Sequence, residues 1–225
     1  MGTYVLLHGA WAGGWQWREV ARLLQPAGHE VFTPTLTGLA DRKHLLTPDV
    51  GLETHIQDVV GLIEYEELRA VLLVGHSYGG MVISGVAERV PERIAHLVFV
   101  DALIPRDGES GADILGRESW AWMEERAPAG GDGWRLPSAG EDRDSDHPLK
   151  TFSDHLAVAN PAAAALPRTV IHCKPPEQAG IGIGCCAARS KAEGWRYHEL
   201  PTGYVPQETM PRELTDLLLE AASGP

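Results

Sequence analysis

The sequence is short of cysteine, short of positive charge and without a long hydrophobic run, and each shortage removes a class of function. Only Cys173, Cys185 and Cys186 occur. An odd number, with two of them adjacent, gives neither a disulfide framework nor a zinc-binding spacing, so a reducing, cytoplasmic setting is expected. Lysine and arginine number 19 against 31 aspartate and glutamate, a formal charge of −12. A surface of that sign repels phosphate backbones and anionic lipid, which argues against a nucleic-acid or membrane partner. No apolar run approaches the ~20 residues that span a bilayer. Met1-Gly2-Thr3-Tyr4-Val5-Leu6-Leu7 has no basic region or long apolar stretch and reads as a buried strand rather than a signal peptide. Internal repeats and low-complexity tracts are also missing.

What is present suits one globular domain. The chain has 225 residues, 44% of them hydrophobic and 22% charged. Short apolar runs alternate with amphipathic segments, the pattern of a doubly wound, mostly parallel sheet of about six strands in an α/β domain. Strands are expected at Thr3–Leu7, His29–Thr33, Ala70–Val74, Ile94–Val100, Arg168–Cys173 and Trp195–Leu200. Helices are expected at Gln16–Gln25, Leu52–Glu67, Tyr78–Arg89, Cys185–Glu193 and Pro211–Ala222, with a long loop over Thr35–Gly51. Residues 103–166 break the rhythm and read as a small cap inserted between two sheet strands. The acidic run Glu141-Asp142-Arg143-Asp144-Ser145-Asp146 within it reads as a solvated loop, since it has no histidines at metal spacing. Gly180-Ile181-Gly182-Ile183-Gly184 lacks the surroundings of a dinucleotide loop. No metal or cofactor site is visible. Trp11, Trp15, Trp17 and Trp134 flank glycine-rich turns and either line an aromatic cavity or fill the core.

Two motifs carry chemistry. Gly75-His76-Ser77-Tyr78-Gly79-Gly80 follows an apolar strand and opens a helix. That context makes Ser77 a nucleophile on a tight strand-to-helix turn, with glycines where the turn is most crowded. His8-Gly9-Ala10-Trp11-Ala12-Gly13-Gly14-Trp15 follows the first strand. If the two strands are neighbours, both loops meet where connections leave to opposite faces of the sheet. The N–H groups of Ala10 and Tyr78 would then form an oxyanion hole, with His8 and Trp11 beside it. His8 is either a base or a brace of the loop, and bracing is the expected role.

These motifs, with Leu97-Val98-Phe99-Val100-Asp101-Ala102, Asn160-Pro161 to Cys173 and Glu199-Leu200-Pro201-Thr202-Gly203, resemble one branch of the α/β-hydrolase superfamily. That branch contains plant methylesterases, hydroxynitrile lyases and small bacterial esterases. The resemblance covers nearly the whole chain and is weakest over the cap. It implies an α/β-hydrolase fold and a triad of serine, aspartate and histidine. Serine maps onto Ser77. Tyr204 stands where the resemblance puts the histidine, and Pro176 where it puts the acid.

Without a base a serine hydroxyl is a poor nucleophile at neutral pH, and loss of the histidine from such a triad costs on the order of 10⁶ in turnover. The few replacement candidates are His198 and His172 on strands, His76 in the elbow but pointing away from the nucleophile's face, Lys174, which nothing in the sequence places near Ser77, and Glu177, or His147 and His155 from the cap. Asp101, at the end of the strand beside the elbow strand, is the better-placed acid. Tyr204 either donates and accepts a proton at Ser77 or fills the histidine's space. The leading expectation is therefore an enzyme that keeps the oxyanion hole, Ser77 and Tyr204 for non-hydrolytic chemistry on a small aromatic or polyketide-like carbonyl compound: cyclisation, dehydration or lyase-type proton transfer. The alternatives are an ester or thioester hydrolase with a relocated base, and a small-molecule binding protein without catalysis. A small-molecule substrate is the expected partner, and a homodimer is compatible with the sequence.

Overall fold

A computed structural model describes residues 2–138, 143–174 and 184–222. The strands are β1 (Thr3–Leu7), β2 (Glu30–Phe32), β3 (Val71–His76), β4 (Ile94–Val100), β5 (Arg135–Leu136), β6 (His147–Pro148), β7 (Arg168–Cys173) and β8 (Arg196–Leu200). Six of them form one sheet in the order β2-β1-β3-β4-β7-β8, every pair parallel. The chain starts in the middle, winds outward one way to β2, then returns through β3 and winds the other way. Continuous apolar runs such as Val71-Leu72-Leu73-Val74 suit strands buried on both faces.

The helices are α1 (Arg18–Leu24), α2 (Leu52–Tyr65), α3 (Gly79–Arg89), α4 (Gly111–Leu115), α5 (Arg117–Gly131), α6 (Lys150–Ser153), α7 (Pro161–Ala164), α8 (Gly184–Ala192), α9 (Pro206–Thr209) and α10 (Pro211–Ala222). Strand alternation divides the core between them. Tyr4, Leu6, Leu72, Val74, Val98 and Val100 pack with Trp17, Val20 and Leu24 of the α1 region and with Leu214 and Leu218 of α10. Val5, Leu7, Leu73, Leu97 and Phe99 pack with Ile56, Val59 and Ile63 of α2 and Met81, Ile83 and Val86 of α3. Each face is therefore covered, as a parallel sheet requires.

Between β4 and β7 the chain leaves the sheet for 67 residues, Asp101 to Pro167, and forms α4 to α7 and the two-stranded β5–β6 ribbon. The first expected helix, Gln16–Gln25, is corrected to a 3₁₀ turn over Gly14–Trp17, α1, and a second 3₁₀ turn over Gln25–Ala27. Pro26 removes a backbone donor there and Gly28 closes the turn with φ +86°. Within the long Thr35–Gly51 loop, Ala40–Leu45 winds into a 3₁₀ turn, and α9 is a short helix that hydrophobic periodicity does not reveal. No described helix is long and apolar enough to cross a membrane.

Candidate active site

β1 and β3 lie side by side with Leu7 opposite Gly75, so their C-terminal loops leave the same edge of the sheet together. Ser77 follows β3 with φ +54°, a left-handed backbone that costs a non-glycine residue on the order of 1 kcal/mol. The turn is fastened on three sides. Ser77 N–H donates to Val100 O at 3.2 Å, and Ser77 O accepts from Gly80 N–H at 3.1 Å and Leu103 N–H at 2.9 Å. Two glycines are required by contact. A Cβ on Gly75 would stand 2.6 Å from Gly79 O, and one on Gly9 would stand 2.9 Å from the Ser77 Cβ and 3.3 Å from its Oγ. The His8 loop thus runs directly against the serine.

Ala10 is half-buried, and neither its N–H nor that of Tyr78 finds a hydrogen-bond partner among the described residues. The Tyr78 side chain is fully buried and its hydroxyl meets His55 Nδ1 at 2.9 Å, so only its backbone N–H is open to a ligand. His8 is also fully buried. Its Nδ1 donates to Gly9 O at 2.8 Å and its Nε2 accepts from Leu36 N–H at 3.1 Å. Both ring nitrogens are spent on the fold, so His8 braces the loop and holds no ligand. Trp11 adopts φ +64°. Its N–H donates to His147 Nδ1 at 3.2 Å, its indole N–H donates to Leu136 O at 3.2 Å, and its carbonyl accepts from Ser145 N–H at 2.9 Å.

On the other side of Ser77 stands Tyr204, in the loop between β8 and α9. Its hydroxyl donates to Ser77 Oγ. The residue keeps 40% of its surface exposed, yet its hydroxyl end is enclosed by protein. Desolvation raises the phenol above its ordinary range, the bond to Ser77 opposing this and nearby Asp101 adding to it. At neutral pH Tyr204 is therefore a proton donor, not a phenolate. No other hydrogen-bond partner of the Ser77 hydroxyl appears among the described residues.

The remaining predicted groups lie elsewhere. Asp101 is buried, with φ +41°, and its Oδ1 accepts from His172 Nδ1 at 3.0 Å. Burial raises its carboxyl, with His172 acting in the opposite direction. Asp101 thus partners His172, itself one of the candidate bases, because β4 and β7 are neighbours and both end at this edge. His198 faces Glu220 of α10 at 3.8 Å, Lys174 faces Glu199 at 3.6 Å, and exposed His155 faces Asp113 at 3.7 Å. His147 is fully buried behind Trp11, with its Nε2 on Thr151 Oγ1 at 2.8 Å. Pro176 and Glu177 fall outside the described residues. Among the described residues no cluster of histidine, cysteine and carboxylates is arranged to hold a metal.

Sequence reasoning missed His172 as the partner of Asp101, and Gln207 altogether. Gln207 is fully buried and its Nε2 donates to His76 Nδ1 at 3.2 Å, while His76 Nε2 donates to Tyr204 O at 2.8 Å. The available signal was alternation. His76 shares the face of Leu72 and Val74, which looks toward α1 and α10 and toward the loop leading into α10.

With this geometry in place, comparisons with known proteins give a consistent picture. The family model described as alpha/beta hydrolase family matches residues 4–217. A carbendazim hydrolyzing esterase of Nocardioides sp. (strain SG-4G) is 57% identical over 115 residues, which are 51% of this chain and 48% of that protein. Methylesterase 1 of Arabidopsis thaliana is 31% identical over 137 residues, 57% of this chain and 52% of the relative. The chain thus spans about half the length of these curated relatives. A solved extracellular alpha/beta-hydrolase from a Paenibacillus species superposes with a TM-score of 0.84 at 26% identity, covering 98% of this chain and 99% of that one.

Proposed function

We propose, from the premise that this chain belongs to the alpha/beta hydrolase family, that it is an ester hydrolase acting through Ser77 on small esters, methyl esters in the first instance. Relatives named as a carbendazim hydrolyzing esterase and a methylesterase support hydrolysis over the non-hydrolytic reading. The observation that carries the proposal is Ser77 itself: a strained serine whose Oγ lies between the Gly9–Ala10 backbone and the Tyr204 hydroxyl.

The chemistry must do without an imidazole at the serine. A phenol with a raised pKa is a poor stand-alone base, but it serves as a relay. As Ser77 Oγ attacks the ester carbonyl, its proton passes to the Tyr204 oxygen while the Tyr204 proton passes to the leaving alkoxide. Tyr204 stays neutral throughout, so its desolvated position is not penalised. The hydrogen bond must first reverse, which needs only rotation of two hydroxyls. The N–H groups of Ala10 and Tyr78 take the negative charge that develops on the carbonyl oxygen. Water then releases the acyl group from Ser77 by the same relay run backwards.

Incubation with a 4-nitrophenyl ester, followed by intact mass and nitrophenol release, tests this. Acyl-enzyme and nitrophenol that both vanish in Ser77→Ala support the proposal, and release that survives Ser77→Ala overturns it.

One observation favours a second reading. The neutral phenol already donates to Ser77, which leaves the serine proton free to meet a carbonyl oxygen of a ligand. That arrangement suits cyclisation, dehydration or lyase-type proton transfer on an aromatic or polyketide-like carbonyl compound. A folded protein that resists a fluorophosphonate at Ser77 would favour this reading.

A further inference from the structure

We propose that His76 and Gln207 are positioning residues, which together hold the Tyr204 hydroxyl at Ser77. The inference rests on the role given to Tyr204 above.

His76 is the last residue of β3 and immediately precedes the nucleophile, yet its side chain serves a different element. It is 2% exposed, and both ring nitrogens are engaged across more than 120 residues of sequence. A carbonyl only accepts, so the contact with Tyr204 O makes Nε2 the protonated nitrogen. Nδ1 must then be an acceptor, which is what the Gln207 amide N–H supplies. The tautomer is fixed from both ends. The imidazole ring also lies 5.0 Å from the Tyr204 ring, so it touches the tyrosine's backbone and its side chain.

Gln207 shows that this arrangement is more than packing. Its side chain is fully buried and its Oε1 has no partner among the described residues. An orphaned buried oxygen is costly, and a leucine of similar size would avoid it. What the amide supplies, and leucine lacks, is the N–H to His76. The surroundings need such a clamp. Tyr204 sits in a loop followed by the four-residue α9, which is too short to be stable alone. The ties of this segment besides those to His76 and Ser77 include Thr202 N–H to Leu200 O at 2.9 Å, Thr202 Oγ1 to Thr209 Oγ1 at 2.6 Å, Thr209 Oγ1 to Val205 O at 3.0 Å and Gln16 Nε2 to Glu208 at 3.3 Å, and none of these reaches β3. The bond from His76 therefore couples the tyrosine's backbone to the residue next to the nucleophile. A relay is sensitive to such coupling, since a displacement of about 1 Å can lower turnover about 100-fold.

The test is a set of variants in two backgrounds, with 4-nitrophenyl acetate turnover and amide exchange of residues 203–207 as readouts. His76→Leu and Gln207→Leu are expected to lower kcat about tenfold or more with little change in KM. They are also expected to speed amide exchange in 203–207 in folded protein. His76→Gln, which keeps an N–H for the carbonyl, should recover part of the loss. In a Tyr204→Phe background the kcat effect of His76→Leu should disappear. An undiminished effect in that background, or unchanged exchange in 203–207, overturns the proposal. If Tyr204→Phe alone leaves turnover unchanged, the relay reading fails, and the exchange measurement still decides whether the clamp exists.

Discussion

The two sides of Ser77 are built differently. On the oxyanion side, His8, His55 and His147 are fully buried, and every ring nitrogen has a partner. On the Tyr204 side, a partly exposed phenol is carried by a short loop, and its backbone is held by one imidazole. The groups that would receive charge are set in a fixed lattice of neutral rings, while the group that would move protons is at the rim. A substitution in the lattice disturbs the core, whereas a substitution at the rim changes chemistry and leaves the fold standing. A change at Tyr204 is therefore expected to alter chemistry at Ser77 with less cost to the fold than a change at His8, His55 or His147.

The largest expected effect is the loss of stability in acid. Burial lowers His8 and His55 on the oxyanion side, and His76 beside Tyr204, from 6.5 to about 4, and holds His147 well below its ordinary value. Between those values the unfolded chain binds more protons than the folded one. His8, His55 and His76 therefore each add stability that is complete above pH ~6.5 and is lost as pH falls through about 4, on the order of 3 kcal/mol apiece as an upper bound, and His147 acts in the same direction. Denaturant unfolding should weaken steeply between about pH 6.5 and 4, and His147→Gln should flatten the curve. A pH-independent midpoint over that range would contradict the neutral lattice.

Next in size is Tyr204→His. An imidazole at the rim should raise ester turnover by roughly 10²–10⁴, the range for a positioned general base, with little change in melting temperature. A fall in turnover would show that the phenol is required in its own right. On the lattice side, Gly9→Ala pushes a methyl into Ser77 and His76 Nδ1, and should slow acylation about tenfold or more. The smallest effect is expected for Asp101→Asn, which keeps an acceptor for His172 Nδ1. Turnover should change by less than about threefold, against about 10⁴ for an aspartate that orients a catalytic histidine.

Much of the sheet was legible in the sequence because burial on both faces writes each strand as an apolar run. β1 and β4 match their expected bounds residue for residue, and β3 runs two residues beyond, into the elbow. Ser77 was legible because its turn needs glycine on either side. Its surroundings were not, because they depend on which strand ends lie next to one another. Asp101 meets His172 through the pairing of β4 with β7, and His76 meets Gln207 across 131 residues. Local periodicity carries no record of such pairings. The split of the first helix was legible in Pro26, whereas the β5–β6 ribbon, two residues a strand, leaves no periodic signal at all.

Trp11 ties the loop after β1 to Leu136, Ser145 and His147. It makes four hydrogen bonds to these residues, and Ala40 N–H on Ser145 Oγ at 2.8 Å adds a fifth. A hinged opening on that side would have to break all five and move the loop after β1 with it. Movement beside Ser77 costs less on the other side, where Tyr204 is carried by a short loop. Attempts to widen the range of compounds admitted should begin with the loop at 201–205 and leave Trp11 in place.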